Sequence, residues 1–365
     1  MATAYVADEG GIALVITLLV VALVTVLVLE FHFDAVVELD LAANYAEDVQ
    51  AYHLALSGVS FARALLLRDD DSADGMEDLW HSISLIPACF PPQQLLSMAG
   101  DGGGSIFLDT LGEGQGQDAV GDGQGCVSLR IVDEQGKLPL NALMPEGDSS
   151  DPNPIWRPIF EAFFVNFQID EDLLDALVDW IDVNDQSGGI GGAERTYYAG
   201  LEHPYEPPNK PMRSLGDLRQ IRGFDYETLA KLFPGRPPEA MADIDLGTNR
   251  YLTVYGSKQG AKVNLNTADE EVLRALCDGL QAGCAADLVE DLVSRRQEGQ
   301  LNDLQAVNDL ISDAAVFNQL KQVADVKSHF FRVESLGKVG DIKKRVVAVL
   351  ERRDDDTTIV YFKVE

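Results

Sequence analysis

Basic residues are scarce in this 365-residue sequence, which has 28 Lys and Arg against 60 Asp and Glu and a formal net charge of −32. The first basic residue along the chain is Arg63. A surface this acidic repels the phosphates of nucleic acids and attracts cations. The composition therefore argues against nucleic-acid binding and favours a metal ion or a basic protein as the ligand.

Recognisable catalytic motifs are also missing. The sequence contains no GxSxG elbow, P-loop or HExxH motif. Its five histidines are scattered: His32, His53, His81, His203 and His329. With 60 carboxylates to choose from, selecting any one acid–base pair carries no information. We therefore predict that the protein is not an enzyme.

Cysteine is rare, and its four positions form no CxxC pair: Cys89, Cys126, Cys277 and Cys284. The last two are close enough in sequence to close a small disulfide loop, and an exported, oxidising location would suit them. The alternative is that all four are free, buried thiols.

Charge is absent from the 18 residues 12–29. At about 1.5 Å per helical residue, such a run just crosses a hydrocarbon core of roughly 30 Å. It is longer than the apolar region of a cleaved signal peptide, and no AxA-like cleavage site follows it. The run therefore predicts a retained membrane-spanning helix.

The helical pattern continues beyond this run. Apolar residues recur at alternating steps of four and three, and acidic residues fall largely off that line. The recurring residues are Tyr45, Val49, Tyr52, Leu56, Val59 and Leu66. Since the segment has no proline and only Gly58 as a glycine, we predict one helix from about Ile12 to Leu67.

The remainder alternates between strand-like and helical patterns. A glycine- and aspartate-rich segment, 98–126, predicts a long loop with a short strand at 105–108, and its aspartates are a weak candidate for calcium binding. A strand, a turn near Gln135 and Gly136, and a second strand are predicted next. Three valine-rich segments at the C terminus, 328–337, 341–353 and 357–365, predict an antiparallel sheet.

Between the strand segments, residues from about 152 to 326 have helical patterns broken by proline clusters. Asp170 is predicted to cap the helix whose apolar face includes Leu173 and Leu177, and Thr267 with Glu270 forms a capping box before another helix. Ser214 and Asp217 form a weaker box. The simplest architecture is an α+β fold in which a long N-terminal helix packs on an antiparallel sheet, with a large all-α domain inserted.

A short leader ending in glycine, an uncharged run beginning IALV and an unbroken amphipathic helix together resemble the precursors of type IV pilin-like proteins. The resemblance implies cleavage by a prepilin peptidase between Gly11 and Ile12, and methylation of the subunit. It also implies that the anchor is retained and leaves the bilayer when the subunit assembles.

Four spaced motifs narrow the resemblance to the minor pseudopilin K family of type II secretion systems. In order they are GKLPLNAL, ALVDWIDVNDQSGGIGGAERTYY, HPYEPPNKPMRSLGDLRQIRGF and KVNLNTADEEVLRAL. The expected organisation is then a leader (1–11), a membrane-spanning part (12–29) and an amphipathic part (30–67) of one helix, a pilin-like head (68–150 and 327–365) and an inserted all-α domain (151–326).

The fifth mature position carries Ile16, where most pilin-like subunits have a glutamate that pairs with the N-terminal amine of a neighbour. Members of the K family lack this glutamate, and a subunit at the tip has no neighbour above it. The leader departs from the usual pattern because it has Asp8 and Glu9 but no Lys or Arg, so the positive-inside signal is missing.

A calcium site is expected in the loop DVNDQSGGIGGAE, where oxygen ligands surround four glycines. The candidate ligands are Asp182, Asn184, Asp185 and Glu194, with Glu202, Glu206 and Asn209 as residues that complete this or a second site. Calcium prefers six to eight oxygen ligands, and the lack of His and Cys disfavours zinc. The family resemblance supports calcium here. The alternative is a solvated acidic turn after a helix.

Residues 262–299 also resemble the helix-hairpin-helix repeat of DNA-binding competence proteins. In that motif the backbone amides of a GxG turn hold phosphate. Gly279 and Gly283 are farther apart, and the nearby carboxylates would repel phosphate: Asp278, Asp287, Glu290 and Asp291. We interpret the segment as a packing motif.

The resemblance implies a minor pseudopilin that initiates and caps a periplasmic pseudopilus for export of folded proteins. Its implied partners are the minor pseudopilins I and J, the major pseudopilin and the prepilin peptidase. Its implied location is the inner membrane, with one span and a periplasmic head. The alternatives are a tip adhesin of a type IV pilus and a membrane-tethered nucleic-acid receptor, the latter disfavoured by charge.

Overall fold

The computed structural model describes residues 9–69, 72–86, 88–98, 125–144, 151–234, 249–256, 260–280, 283–285, 287–311, 313–353 and 356–365. Its helices are α1 (Glu9–Arg68), α2 (Leu79–Ser84), α3 (Pro92–Met98), α4 (Trp156–Asn166), α5 (Leu173–Ile181), α6 (Arg195–Ala199), α7 (Tyr226–Leu232), α8 (Glu270–Gly279), α9 (Leu288–Glu298), α10 (Gln305–Asn308) and α11 (Ala314–Val323). Its strands are β1 (Cys126–Asp133), β2 (Leu138–Pro139), β3 (Leu252–Thr253), β4 (Val263–Asn264), β5 (Ala324–Asp325), β6 (Phe330–Val339), β7 (Ile342–Arg353) and β8 (Asp356–Val364).

The N-terminal helix is continuous, as predicted. α1 has 60 residues, which corresponds to a length of about 90 Å. Its apolar part is long enough to cross a membrane, and none of that part is covered by other described residues. Two hydroxyl groups in it donate to carbonyls of the same helix, Thr17 to Leu14 at 2.8 Å and Thr25 to Val21 at 2.7 Å. The polar groups of this run are thus satisfied without water.

The C-terminal part of α1 packs against a four-stranded antiparallel sheet with strand order β1-β6-β7-β8. The three predicted C-terminal strands are confirmed. Glycines allow the helix to lie close to the sheet: a Cβ at Gly58 would lie 2.1 Å from Oγ of Ser335, and one at Gly337 would lie 2.0 Å from the carbonyl oxygen of Ala51. Val59 and Leu66 are buried in the resulting core with Val333 and Ala348.

A second, larger apolar cluster holds the helices of the middle of the chain. α4 and α8 cross closely, because a Cβ at Gly279 would lie 2.3 Å from Cα of Ile159. Gly283, by contrast, has a positive φ of 69° and open space around it. The interpretation of residues 262–299 as a packing motif therefore has a structural basis at Gly279.

Buried polar side chains join the segments that connect these two clusters. The Asn264 side-chain amide donates to the Asp133 carboxylate and to Oγ of Ser328, at 3.0 and 2.9 Å. Glu134 is fully buried and accepts from Nζ of Lys137 at 2.9 Å and from Nε of Arg332 at 2.7 Å. These bonds tie the end of β1 to β4 and β6.

Some local predictions were wrong. The middle of the chain is not all helical: β2 pairs with β3 and β4 with β5, both in parallel. The second strand predicted after Gln135 is only β2, because a 3-10 helix, Leu140–Leu143, follows it at once. It pairs with β3, which follows much later in the chain.

Two predicted helix caps were also wrong. Asp170 accepts from the Asp172 amide in a turn that precedes α5, so the helix begins later than expected. Asp269, not Thr267, caps α8, because the Thr267 hydroxyl donates to Asp133 instead. Ser214 does cap the 3-10 helix Leu215–Gln220 through the Gly216 amide.

The structure pairs the cysteines as Cys89–Cys126 and Cys277–Cys284. The first bond joins the segment before α3 to the start of β1, and the second joins the last turn of α8 to the segment that follows it. The expected strand at 105–108 and the calcium-binding aspartates of the glycine-rich segment lie outside the described residues.

Candidate metal centre

Three carboxylates converge where α5 ends. Asp179 and Asp182 lie three residues apart at the end of this helix, so both point to the same side, and Glu194 occupies the position before α6. All three residues are buried, at 1%, 3% and 5% exposure. One oxygen from each lies within 4.8 Å of the others, which is close enough to share one ion.

The glycines of the intervening loop bring its backbone against these acids. The Gly188 amide donates to Asp179 at 3.0 Å, and a Cβ at Gly192 would lie 2.6 Å from Oδ2 of Asp179. Gly189 has a positive φ of 49°, and a Cβ there would lie 1.8 Å from Oδ2 of Asp175. Residues with side chains would push the loop away from the carboxylates.

The cluster lacks cationic partners among the described residues. Neither carboxylate oxygen of Glu194 has a hydrogen-bond partner, nor does the side-chain oxygen of Asn209, although all three atoms are buried. Two arginines that contact the loop and α5 are engaged elsewhere: Arg222 donates to the Gly192 carbonyl at 2.8 Å, and Arg157 contacts Asp175 at 2.8 Å. Buried carboxylates without a partner are costly, so the arrangement is suited to a bound cation.

The pKa values of these acids follow from this environment. Burial, followed by the charges of Asp179 and Asp182, raises the pKa of Glu194 to about 7. Burial and the charge of Asp179 raise the pKa of Asp182 to about 6, although hydrogen bonds from Asn184 oppose the shift. Burial also raises the pKa of Asp179. A divalent cation bound among the carboxylates would favour their ionised forms and so oppose these shifts.

The predicted site residues are brought together only in part. Asp182 and Glu194 lie in the cluster, whereas Asn184 supports it by donating to Asp182 at 2.8 Å. Asp185 lies beside Asn209, whose amide donates to it at 3.3 Å. Glu206 instead lies 3.7 Å from Arg195 at the surface, and Glu202 is exposed.

Asp179 was not among the candidate ligands predicted from the sequence. The signal that could have found it is its three-residue spacing from Asp182, which places both carboxylates on one side of a helix end. The three residues of the cluster offer oxygens without nitrogen or sulfur, and both carboxylate oxygens of Glu194 have no hydrogen-bond partner. This composition fits calcium and does not fit zinc.

A second group of acids, Asp69, Asp74 and Asp78, differs because it contains its own cation. The Arg352 guanidinium donates to both oxygens of Asp74 at 2.6 Å. This group is therefore already neutralised in part by the protein.

Comparison with known proteins shows which family the chain resembles. Residues 136–235 match the family model described as type II secretion system (T2SS), protein K. Type II secretion system protein K of Aeromonas hydrophila is 24% identical over 359 residues, covering 96% of both chains. The protein of the same name from Pseudomonas aeruginosa is 25% identical, covering 95% of this chain and 90% of its own. The chain is therefore similar to proteins of this name over nearly its whole length.

The fold of this protein also has a solved counterpart. A chain in the crystal structure of the GspK-GspI-GspJ complex from the type 2 secretion system of enterotoxigenic Escherichia coli superimposes with a TM-score of 0.59 at 20% identity. The match covers 92% of this chain and 99% of that one. The α+β fold predicted from the sequence is thus confirmed, and the candidate metal centre lies within the segment that the family model matches.

Proposed function

We propose that this chain is a minor pseudopilin that forms the tip of the type II secretion pseudopilus, initiates its assembly and supports export of folded proteins across the outer membrane. The observation that carries the proposal is α1, in which a membrane-spanning run and a stem continue without interruption into the packed head. A subunit of this kind can stay anchored before assembly and be withdrawn from the bilayer with its head already folded.

Two features support a place at the tip. Ile16 provides no carboxylate to pair with the N-terminal amine of a subunit above it. The second apolar cluster makes the head much larger than one built only from a helix and a four-stranded sheet. Heads of this size would collide if they were repeated around a narrow filament, so the chain caps the filament.

The proposed partners are the minor pseudopilins I and J, then the major pseudopilin beneath them. The complex of GspK with GspI and GspJ in the fold counterpart supports the first two. The proposed location is the inner membrane, with one span, a periplasmic head and a leader removed between Gly11 and Ile12 by the prepilin peptidase.

The test is purification of the tagged full-length chain from membranes of the producing cell. Recovery of pseudopilins I and J together with other secretion components is expected. Recovery of pilin-like subunits with type IV pilus components and without secretion components would replace the proposal with a pilus tip subunit. Recovery with DNA would favour a nucleic-acid receptor.

The cluster of Asp179, Asp182 and Glu194 is proposed to bind calcium, with Asn209 and Asp185 as additional oxygen donors. The ion would hold the loop between α5 and α6 by neutralising carboxylates that have no protein cation. Thermal unfolding with calcium and then with chelator tests this. At a calcium concentration of about 100 times Kd, stability should rise by about 2.7 kcal/mol. Equal unfolding midpoints would contradict calcium binding.

A further inference from the structure

Two lysines face each other at the end of the hairpin that β6 and β7 form. Lys338 of β6 pairs directly with Lys343 of β7, and Arg345 lies on the same face two residues further along β7. All three residues are exposed. Directly opposite residues have Cβ atoms about 4.5–5.5 Å apart, and like charges in this position destabilise a sheet. This pair therefore lowers the stability of the folded state.

Acids of the same chain do not neutralise the two lysines in the part of the chain that the structure describes. Neither lysine forms an ion pair there, although Asp341 lies in the turn between them. Lys344 differs, because it lies on the other face of the sheet and pairs with Asp48 of α1 at 2.8 Å. Arg345 has Glu365 at 3.9 Å, but both side chains are partly exposed and such pairs contribute little to stability. We call Lys338, Lys343 and Arg345 the outer basic patch.

The outer basic patch faces away from α1. The neighbours of Lys338 in β6 face the helix: a Cβ at Gly337 would lie 2.0 Å from the carbonyl oxygen of Ala51, and Val339 is buried. Because side chains alternate along a strand, the lysine and its partner point to the opposite side of the sheet. In the proposed assembly the apolar run of α1 leaves the bilayer and is covered by other subunits, so the helix side of the head turns inward. The patch is then on the outside of the filament.

The charge of this surface is the reverse of the charge of the whole chain. Basic residues outnumber acidic ones from residue 327 to the C terminus, whereas the chain carries 28 Lys and Arg against 60 Asp and Glu. A local patch of opposite sign steers a partner of complementary charge to one place on the surface. The partner of the outer basic patch is therefore expected to be acidic.

We propose that the outer basic patch binds a carboxylate-rich surface on a protein that surrounds the assembled tip and is not itself pilin-like. This inference rests on the proposed place of the chain in a secretion filament, and it adds the surface and the charge by which the head contacts the protein that encloses it. Carboxylates of the partner, placed beside the two lysine ammonium groups, relieve the repulsion between them.

An anionic lipid surface is excluded by distance. The turn between β6 and β7 lies beside Glu47, because a Cβ at Gly340 would lie 3.1 Å from Oε2 of that residue. Glu47 follows Leu29, the last residue of the uncharged run, by 18 residues, or about 27 Å of helix. The headgroup layer adds only about 5–8 Å on each side of the hydrocarbon core. A helix tilt of about 40°, the upper end of the range in membrane proteins, leaves the turn about 20 Å from the core, so the patch does not reach the headgroups.

Three other occupants fit less well. A nucleic acid would be repelled by a chain of net charge −32. A second copy of the chain has no place beside the first, because the proposed filament has one such subunit at its end. Another pilin-like subunit meets the chain on the inward side of the sheet, where α1 lies. An acidic protein outside the filament is the occupant that suits both the charge and the direction of the patch.

The test is carbodiimide cross-linking in membranes of the producing cell, followed by purification of the tagged full-length chain and sequencing of the linked peptides. Carbodiimide joins a lysine amine to a carboxylate without a spacer, so a link reports direct contact between the two groups. We expect Lys338 and Lys343 to be linked to Asp or Glu of a secretion-system protein that is not pilin-like. A link to a pilin-like subunit or to another site in this chain, or the absence of any link, would overturn the inference. Failure of the wild-type chain to recover any secretion component would instead overturn the proposed function.

A charge-reversal variant gives an independent arm. Lys338→Glu is combined with Lys343→Glu in the patch, and the matched control combines Arg219→Glu with Arg295→Glu, at two exposed residues in the middle of the chain. Both variants change the net charge equally. We expect the patch variant to recover roughly tenfold less of the acidic partner and wild-type amounts of pilin-like subunits, and the control to behave like wild type. Undiminished recovery of the acidic partner by the patch variant, or equal loss in both variants, would overturn the inference.

The single variant Lys343→Glu separates binding from folding. It replaces a like-charge contact across the strands with an opposite-charge one, so the purified chain should unfold at the same temperature as wild type or higher. Recovery of the acidic partner should nevertheless fall. A lower unfolding temperature together with this loss would show that the lysine stabilises the fold, and unchanged recovery would show that the patch does not bind the partner. Either result would contradict the proposal.

Discussion

At the scale of single residues, the buried carboxylates differ in whether a basic side chain of the chain is paired with them. Glu134 and Asp74 are paired with basic side chains of the same chain. Asp179, Asp182 and Glu194 have no such pairing among the described residues. The chain itself provides the cations for the first two acids, whereas the other three are expected to depend on a bound ion.

The Glu194→Gln substitution tests this difference. In chelator the variant should be at least as stable as wild type, because it removes a buried charge without a partner. In calcium it should gain less stability than wild type. Glu202→Gln, at an exposed acid nearby, is the control and should respond like wild type. Equal destabilisation of the Glu194 variant with and without calcium would indicate a purely structural role.

The lowered pKa of Glu134 leads us to expect a loss of stability at acidic pH. Burial would raise its pKa, but Lys137 and Arg332 outweigh burial and hold the pKa at about 2, below its ordinary value of 4.5. The lowered pKa stabilises the folded state above pH 4.5, and this contribution is lost as the pH falls toward 2. About 2 kcal/mol of an initial ~3 kcal/mol should be lost between pH 7 and pH 3.

Chemical unfolding of wild type and Glu134→Gln at the two pH values checks this. The variant should be strongly destabilised at pH 7, because Lys137 and Arg332 lose their buried partner. The difference between the two proteins should shrink by about 2 kcal/mol at pH 3. A difference independent of pH would show that folding does not lower the pKa of Glu134.

At the scale of elements, the contact of α1 with the sheet depends on the absence of a side chain at Gly58. Replacing an exposed helical glycine with alanine usually stabilises a helix by roughly 1 kcal/mol. Here the new Cβ would lie 2.1 Å from Oγ of Ser335 and 2.8 Å from Cγ1 of Val127. We therefore expect Gly58→Ala to destabilise the protein by about 1–3 kcal/mol.

Ser335→Gly in the same chain should recover part of this loss, because it removes the nearest atom. Ser57→Ala, on the exposed neighbouring position, is the control and should change stability little. Thermal unfolding of wild type, Gly58→Ala, Ser335→Gly and the double variant gives the coupling free energy between Gly58 and Ser335. Stabilisation by Gly58→Ala alone would mean that α1 lies farther from β6.

The elements that the sequence predicts well are those whose pattern is local. α1 is uninterrupted because no proline occurs in it, and β6 to β8 follow from valine-rich segments separated by short turns. The errors involve partners distant in sequence. Thr267 has a good local capping pattern, but its hydroxyl is used by Asp133, 134 residues away. β2 and β3 are too short to be predicted without their pairing.

The site was predicted to a similar extent. Glycine and oxygen ligands in one loop identified Asp182 and Glu194 correctly as neighbours. Sequence could not tell that Glu206 turns to Arg195 or that Asn184 supports Asp182, since those choices depend on the path of the folded loop. The three-residue spacing between Asp179 and Asp182 would have allowed Asp179 to be predicted from the sequence.

At the scale of the whole molecule, an uncovered apolar helix is joined to a folded head. The apolar run of α1 is uncovered and suits lipid. The head that follows it is folded around two apolar clusters. A subunit with one such stem and a head of this size is expected once in each filament, at its end.

The most direct measurement is the position of the chain on isolated pseudopili, detected by gold-labelled antibody against a C-terminal tag on the full-length protein. The account predicts label at one end of each filament and nowhere along its length. Label repeated at regular intervals along the shaft would contradict it.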